Sequence, residues 1–346
     1  MLETLELVKI IILGATAFVV AIFLTPFLTH FLYKYKLGKQ IRSSLSAPVF
    51  YKLHKHKEGT PTMGGILIWG TVLLLLVIFY FISVIFPDSN LAQLNFLDRG
   101  ETYLPIAALI IAALIGLADD IFGVFRIGPK GGGLRMKHRI LLYVGVAIVG
   151  ALWFFFKLDW DLIYVPFLGE FNIGAWYIPY FIFIITATAF STNQTDGLDG
   201  LSGGVLLVAF ASFGLFAFLQ GDYQLTGFIS VIMGALLAYL WFNIPPARFY
   251  MGDTGAMSLG VTLGVIAMLT NMSLILPFVG FILVVESAST IIQVASKKFR
   301  GKKIFKSAPI HHHFEAIGWP EAKVVMRFWI IAAVMAGIGV IIALMG

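Results

Sequence analysis

No cysteine occurs in the 346-residue chain, and charged residues make up only 12% of it. The first absence excludes disulfides and thiolate chemistry, though it says nothing firm about compartment. The second leaves about half the charged share of an ordinary soluble domain. No basic stretch precedes the first apolar run, which opens behind Glu3 and Glu6. That run therefore reads as a first membrane span, not as a cleaved signal peptide. The short-period alternation of a membrane β-barrel is missing. So is any clear internal repeat of the kind that marks many transporters.

What is present is apolar. Hydrophobic residues make up 59% of the chain, with a mean hydropathy of +0.93. Ten runs approach the length of about 20 residues that spans a bilayer as a helix. They fall near 7–29, 63–86, 103–118, 139–156, 176–192, 201–219, 225–242, 254–270, 274–296 and 324–345. The expected fold is thus an all-α polytopic membrane protein of about ten transmembrane helices. Aromatic and β-branched residues around a turn at 159–174 predict a short external β-hairpin.

The basic residues are unevenly shared. Twenty of the 24 lie in the loops after the first, third, seventh and ninth runs, including Lys57, Arg126, Lys130, Lys137 and Arg139. The alternate loops carry acids instead, among them Asp88, Asp98, Asp159, Asp161 and Asp222. The positive-inside rule then places the basic loops in the cytoplasm and both termini outside. A basic inner face attracts anionic membrane lipid and also funnels a polyanionic substrate; nucleic acid is not an expected partner.

Five other carboxylates, Asp119, Asp120, Asp196, Asp199 and Asp253, fall at cytoplasmic ends of spans, in GLADD, STNQTDGLDGLSGG and FYMGDTGA. Each cluster has a plain reading. An Asp pair often marks a solvated helix end, Asp-Gly suits a turn, and Asp253 suits the N-cap of the eighth span. Three such clusters on one membrane face, with few basic neighbours, point instead to a shared site. Hard oxygen ligands without cysteine favour Mg²⁺ there over zinc.

Other polar elements accompany them. KEGTPTMGG (57–65) puts Lys57, Thr62 and several glycines at the start of the second span, a pattern suited to phosphate or to an ordinary helix start. His311, His312 and His313 sit in a basic loop. Three adjacent histidines lack the spacing of a metal site on one helix face, but suit hydrogen bonding to phosphate or proton transfer. Asn193 and Asn243 end the fifth and seventh spans, where each could orient a carboxylate, bind a base or cap a helix. Glu286 stands within the ninth run, where a structural role is expected.

In this order, KEGTPTMGG, the Asp pair, TDGLDGLSGG, FYMGDTGA and KIFKSAPIHHHFE resemble the phospho-N-acetylmuramoyl-pentapeptide transferase family over nearly the whole chain. APIHHHFE separates this family from relatives that transfer N-acetylglucosamine phosphate.

The resemblance implies a Mg²⁺-dependent transfer of phospho-MurNAc-pentapeptide from UDP-MurNAc-pentapeptide to undecaprenyl phosphate, giving lipid I and UMP. It implies a homodimer in the bacterial inner membrane, an active site facing the cytoplasm and a bent ninth helix, with Ser287 to Thr290 suited to the bend. By motif, Asp253 resembles the Mg²⁺ ligand, and Asp119 and Asp120 resemble catalytic acids, Asp119 being the proposed base. His311 and His312 resemble cleft histidines, with His313 beside them on the substrate side. Asp196, Gly197, Leu198 and Asp199 resemble the uridine cleft. Lys57, Thr62, Lys137, Asn193, Asn243 and Tyr250 resemble substrate-side contacts.

Two positions depart from the family pattern. Gly123 stands where a lysine is usual, and Arg126 or Lys130 is expected to supply that charge. Tyr250 replaces the usual Phe, a change that keeps an aromatic face for stacking. Two readings compete with this one: an N-acetylglucosamine-1-phosphate transferase acting on a polyprenyl phosphate, and a lipid-linked substrate transporter or flippase.

Overall fold

The computed structural model describes residues 2–38, 51, 54–97, 100–128 and 132–346. Among the described residues, the long helices begin with α1 (Leu2–Lys34), α2 (Gly65–Ile85), α3 (Gly100–Val124) and α4 (Met136–Lys157). A hairpin of β1 (Leu162–Val165) and β2 (Gly169–Asn172) follows. Next come α5 (Tyr177–Thr195), α6 (Leu201–Leu219), α7 (Tyr223–Asn243) and α8 (Gly252–Leu269). The chain closes with α9 (Leu276–Val279), α10 (Phe281–Arg300), α11 (Ile310–Ala316) and α12 (Glu321–Met345). Among the described residues, α1 to α8 and α12 make nine helices long and apolar enough to cross a membrane. Lys130, and with it Lys39, Arg42, Lys52 and Asp98, lies outside the described residues.

The expected ninth span, 274–296, is where the structure differs. Pro277 sits in the first turn of the short α9, Gly280 ends it, and α10 restarts at Phe281. Proline lacks a backbone donor and glycine carries no side chain to hold helical geometry. The interruption therefore falls at Gly280, upstream of Glu286 and of Ser287 to Thr290. The α10 helix is also amphipathic. It buries Glu286, Ser287, Ser289 and Gln293 and exposes Val284, Ile291, Ile292 and Val294, so its apolar residues form a stripe instead of surrounding it.

The α8 helix is the centre of the bundle, with nearly every residue from Gly252 to Met268 buried. Glycine allows its neighbours to come close. A Cβ on Gly65 would collide with the Gly255 backbone, and one on Gly116 with the Asp253 backbone. Without hydrophobic attraction between helices in lipid, such small-residue contacts carry the packing. On the far side of the bundle, Ser230 of α7 donates to the Ile10 carbonyl of α1 at 2.7 Å.

The hairpin pairs antiparallel, Leu162 opposite Asn172 and Val165 opposite Gly169. The Tyr164 amide donates to Asn271 Oδ1 at 3.0 Å, which ties it to the end of α8.

Candidate active site

The start of α8 organises the acidic centre. Gly252 takes a φ of +74°, and a Cβ there would strike Asp120 and Thr62. That turn aims the first amides of α8 at α3. Asp120 Oδ1 accepts from the Asp253 amide at 3.1 Å, and Oδ2 accepts from the Thr254 amide at 2.9 Å. Thr62 donates to the same Oδ1 at 3.5 Å. Asp120, from a different helix, thus satisfies the donors that a helix start leaves unpaired. Asp253 is not the N-cap of its helix; it sits in the first turn with its carboxylate free to face the site.

Arg139 of α4 joins the two remaining acids. Its Nε lies 2.6 Å from Asp119 Oδ2, and its Nη2 lies 2.8 Å from Asp253 Oδ2. Nη1 donates to Asp253 Oδ1 at 3.0 Å and to Asn193 Oδ1 at 3.4 Å. The Asn193 amide nitrogen also donates to Asp253 Oδ1. Asp119 Oδ1 accepts from the Leu134 amide at 2.6 Å, which pins the loop before α4 to the site. Asp119 and Asp120 are both buried; α3 runs past them to Val124, so the pair does not mark a solvated helix end.

The DGLDG turn between α5 and α6 forms a second group. Asp199 Oδ1 accepts from Lys57 Nζ at 2.6 Å, and the same amine reaches Glu321 Oε1 at 2.6 Å. Glu321 also accepts from the Asp199 amide at 2.8 Å. Burial alone would lower the Lys57 pKa, but Glu321 and Asp199 outweigh it and hold the amine above its ordinary value. Asp196 accepts from Ser202 at 3.0 Å. Ser202 is itself 3.8 Å from the Met251 sulfur, which places Asp196 beside the strand of chain leading into Asp253.

Gly197 and the buried Leu198 complete the turn. Asn243 is spent inside the protein: its Oδ1 accepts from Gly200 and its Nδ2 donates to the Phe249 carbonyl, each at 2.8 Å. Tyr250 is half-buried and hydrogen-bonded to Thr60, with burial raising its pKa.

The histidines of α11 part company. His311 is fully buried, and its Nδ1 lies 2.8 Å from Glu286 Oε2. Its Nε2 faces Gly197, where a Cβ would collide with the ring. His312 Nδ1 lies 2.7 Å from Glu315 Oε2, which also meets His54 Nε2 at 3.2 Å. Burial, with His311 alongside, lowers the His312 pKa to about 3. Burial would raise the Glu315 pKa, but His312 and His54 reverse that and bring it to about 2. His313 turns outward and accepts from the Lys306 amide at 3.2 Å.

Sequence reasoning missed Arg139, His54, Glu315 and Glu321. Arg139 counted only as one loop charge among several, whereas Lys137 stands exposed on the first turn of α4. The signal was helical spacing: from the start of α4, only one side of the turn faces Asp119 and Asp253. Arg126 is exposed. The position of Gly123 is open, with nothing within 4 Å of an added Cβ. Among the described residues, Arg139 supplies the positive charge between Asp119 and Asp253.

A divalent cation fits this donor set. Asp119, Asp253 and the Asn193 carbonyl are hard oxygen donors converging on one point, and that point is filled by a guanidinium, so the position already favours positive charge.

The multi-pass bundle gathers buried acids beside a glycine-rich helix start, and its comparison with known proteins places it among membrane transferases. Residues 103–271 match the model of glycosyl transferase family 4. Residues 57–68, with Lys57 and Thr62, match signature 1 of phospho-N-acetylmuramoyl-pentapeptide-transferase. The chain belongs to the phospho-N-acetylmuramoyl-pentapeptide-transferase family. A relative of that name from Chloroflexus aggregans is 36% identical, over 98% of this chain and 90% of its own length. One from Clostridium novyi is 40% identical over 93% of each. A third, from Caldanaerobacter subterraneus, is 38% identical over 94% of this chain and 96% of its own.

Proposed function

We propose that this protein transfers phospho-MurNAc-pentapeptide from UDP to undecaprenyl phosphate, forming lipid I and UMP with Mg²⁺. The observation that carries the reading is the meeting of Asp119 and Asp253 at Arg139, with Asp120 holding the helix start of Asp253, beside a turn that holds Lys57 on Asp199. The basic loops favour a cytoplasmic face for the site, external termini and an inner-membrane setting. A homodimer is the assembly that the resemblance implies.

The reaction exchanges one diphosphate bond for another, so the main task is to manage negative charge. Asp253 would hold Mg²⁺, with Asp119 and Asn193 adjoining. The ion would supply charge neutralisation to the phosphates. Asp120 fixes the α8 start and thereby the direction of the Asp253 carboxylate. Arg139 and Lys57 contribute fixed positive charge where negative charge gathers. Asp119 accepts the proton of the lipid phosphate when it arrives protonated, and the lipid phosphate attacks directly. The DGLDG turn with Tyr250 receives the uridine side, and His311 and His312 offer ring nitrogens to phosphate oxygens. The polyprenyl tail lies along the seam of α5 and α10, which Ser191 and Ser287 join at 2.9 Å.

The test is lipid I synthesis by purified protein in detergent, with and without Mg²⁺, by wild type and Asp253→Ala. Near-complete loss in the variant is expected, and substantial remaining turnover overturns the metal assignment. Offering UDP-N-acetylglucosamine as the alternative donor separates the two transferase readings. Turnover in detergent, with no second compartment, removes transport as the explanation.

A further inference from the structure

Besides the acidic centre, α11 carries a second group of buried donor atoms, His312 and Glu315, which meet His54. His312 and Glu315 stand three residues apart on one helix face, and His54 comes from the segment just before Lys57, 261 positions away from Glu315 in sequence. All three are buried, and their ligand atoms lie within 4.8 Å of one another. We propose that His54, His312 and Glu315 form a binding site for a borderline divalent cation of the zinc class, distinct from the Asp253 site.

The donor chemistry supports this. Two imidazoles and one carboxylate make a set that zinc-class ions take, while Mg²⁺ prefers oxygen alone. Histidine and glutamate three apart on a helix present donors to one point. The two contacts to Glu315 Oε2, at 2.7 and 3.2 Å, already gather the donors around one small volume. Zinc-class ions bind through neutral imidazole and ionised carboxylate, the two donor types gathered here. On binding, the ion would take His54 Nε2, His312 Nδ1 and a Glu315 carboxylate oxygen. The ion would clip the loop carrying Lys57 and Thr62 onto the helix carrying His311.

The experiment is Zn²⁺ titration of the purified enzyme by calorimetry at saturating Mg²⁺, read as binding and not as turnover. One saturable equivalent is expected. His54→Gln and Glu315→Gln should each weaken it by more than the roughly 10- to 100-fold that losing a ligand's supporting hydrogen bond costs. His313→Gln should leave the affinity unchanged. Zinc X-ray absorption on the loaded wild type needs no variant and should report two imidazole ligands. Absence of saturable binding, affinity indifferent to both variants, or a spectrum without imidazole each overturns the proposal.

Discussion

Arg139 grips both carboxylate oxygens of Asp253, Nη1 on Oδ1 at 3.0 Å and Nη2 on Oδ2 at 2.8 Å. A guanidinium matches a carboxylate in this two-pronged way, and a lysine does not. It occupies the side of Asp253 that a cation would also approach. Arg139→Ala is therefore expected to lower kcat by about 100-fold or more, the scale of losing one fixed stabiliser of developing charge. The half-saturating Mg²⁺ concentration should fall at the same time, because a competitor for Asp253 has gone. A Mg²⁺ titration of turnover reads both effects, and an unchanged kcat counts against the role assigned here.

Asp120 acts through the backbone. Asp120→Ala strips the α8 start of its acceptor, a loss of about 0.5–2 kcal/mol for a helix cap. Asp120→Asn keeps one acceptor oxygen and should lose less. Thermal melting in detergent ranks the three proteins. Equal melting temperatures would show that water replaces the carboxylate at no cost.

Gly116 and Gly123 lie on the same helix and make opposite predictions. An added methyl at Gly116 meets the Asp253 backbone, while nothing lies within 4 Å at Gly123. Gly116→Ala should cost about 1–3 kcal/mol by overpacking and disturb activity through Asp253. Gly123→Ala should be neutral or slightly stabilising, as alanine is the better helix former. Melting curves and turnover of the two variants test the close approach of α3 to α8.

Lys57 lies between Asp199 and Glu321, and its removal leaves two acids facing each other. Lys57→Met should approach the roughly 3–5 kcal/mol cost of breaking a buried pair from one side. Its pH dependence has a fixed sign. The folded pKa lies above the unfolded value of 10.5, so the contribution is complete below that pH and is lost as pH rises through the folded value. Wild type should lose stability over that alkaline range, and Lys57→Met should not show that part of the loss.

Direct attack and a covalent phospho-sugar intermediate differ in one observable. Only the covalent route allows labelled UMP to exchange into the nucleotide donor without lipid acceptor. Rigorously delipidated enzyme is expected to show no exchange, and clear exchange would favour a carboxylate nucleophile.

The sequence by itself determined the class and the cast. Long apolar runs force backbone hydrogen bonds inside helices, and one-sided basic loops order those runs, so the bundle, the hairpin and the family were legible without coordinates. So was the placement of five aspartates at span ends, because charge beside a membrane span is too costly to be casual; that they fall into two groups was not. The interrupted segment at Gly280 was harder, since α10 has apolar content without an apolar circumference. What only the tertiary structure decided is who faces whom. Asp120 and Asp253 are distant in sequence, yet one caps the helix of the other. Lys137 and Arg139 look alike in a string of basic residues, and the roughly half-turn of helix between them sends one to solvent and the other between two carboxylates. Periodicity and charge count are local properties, while partner choice depends on which glycines let α3, α2 and α5 approach α8, and that is settled only when the helices pack.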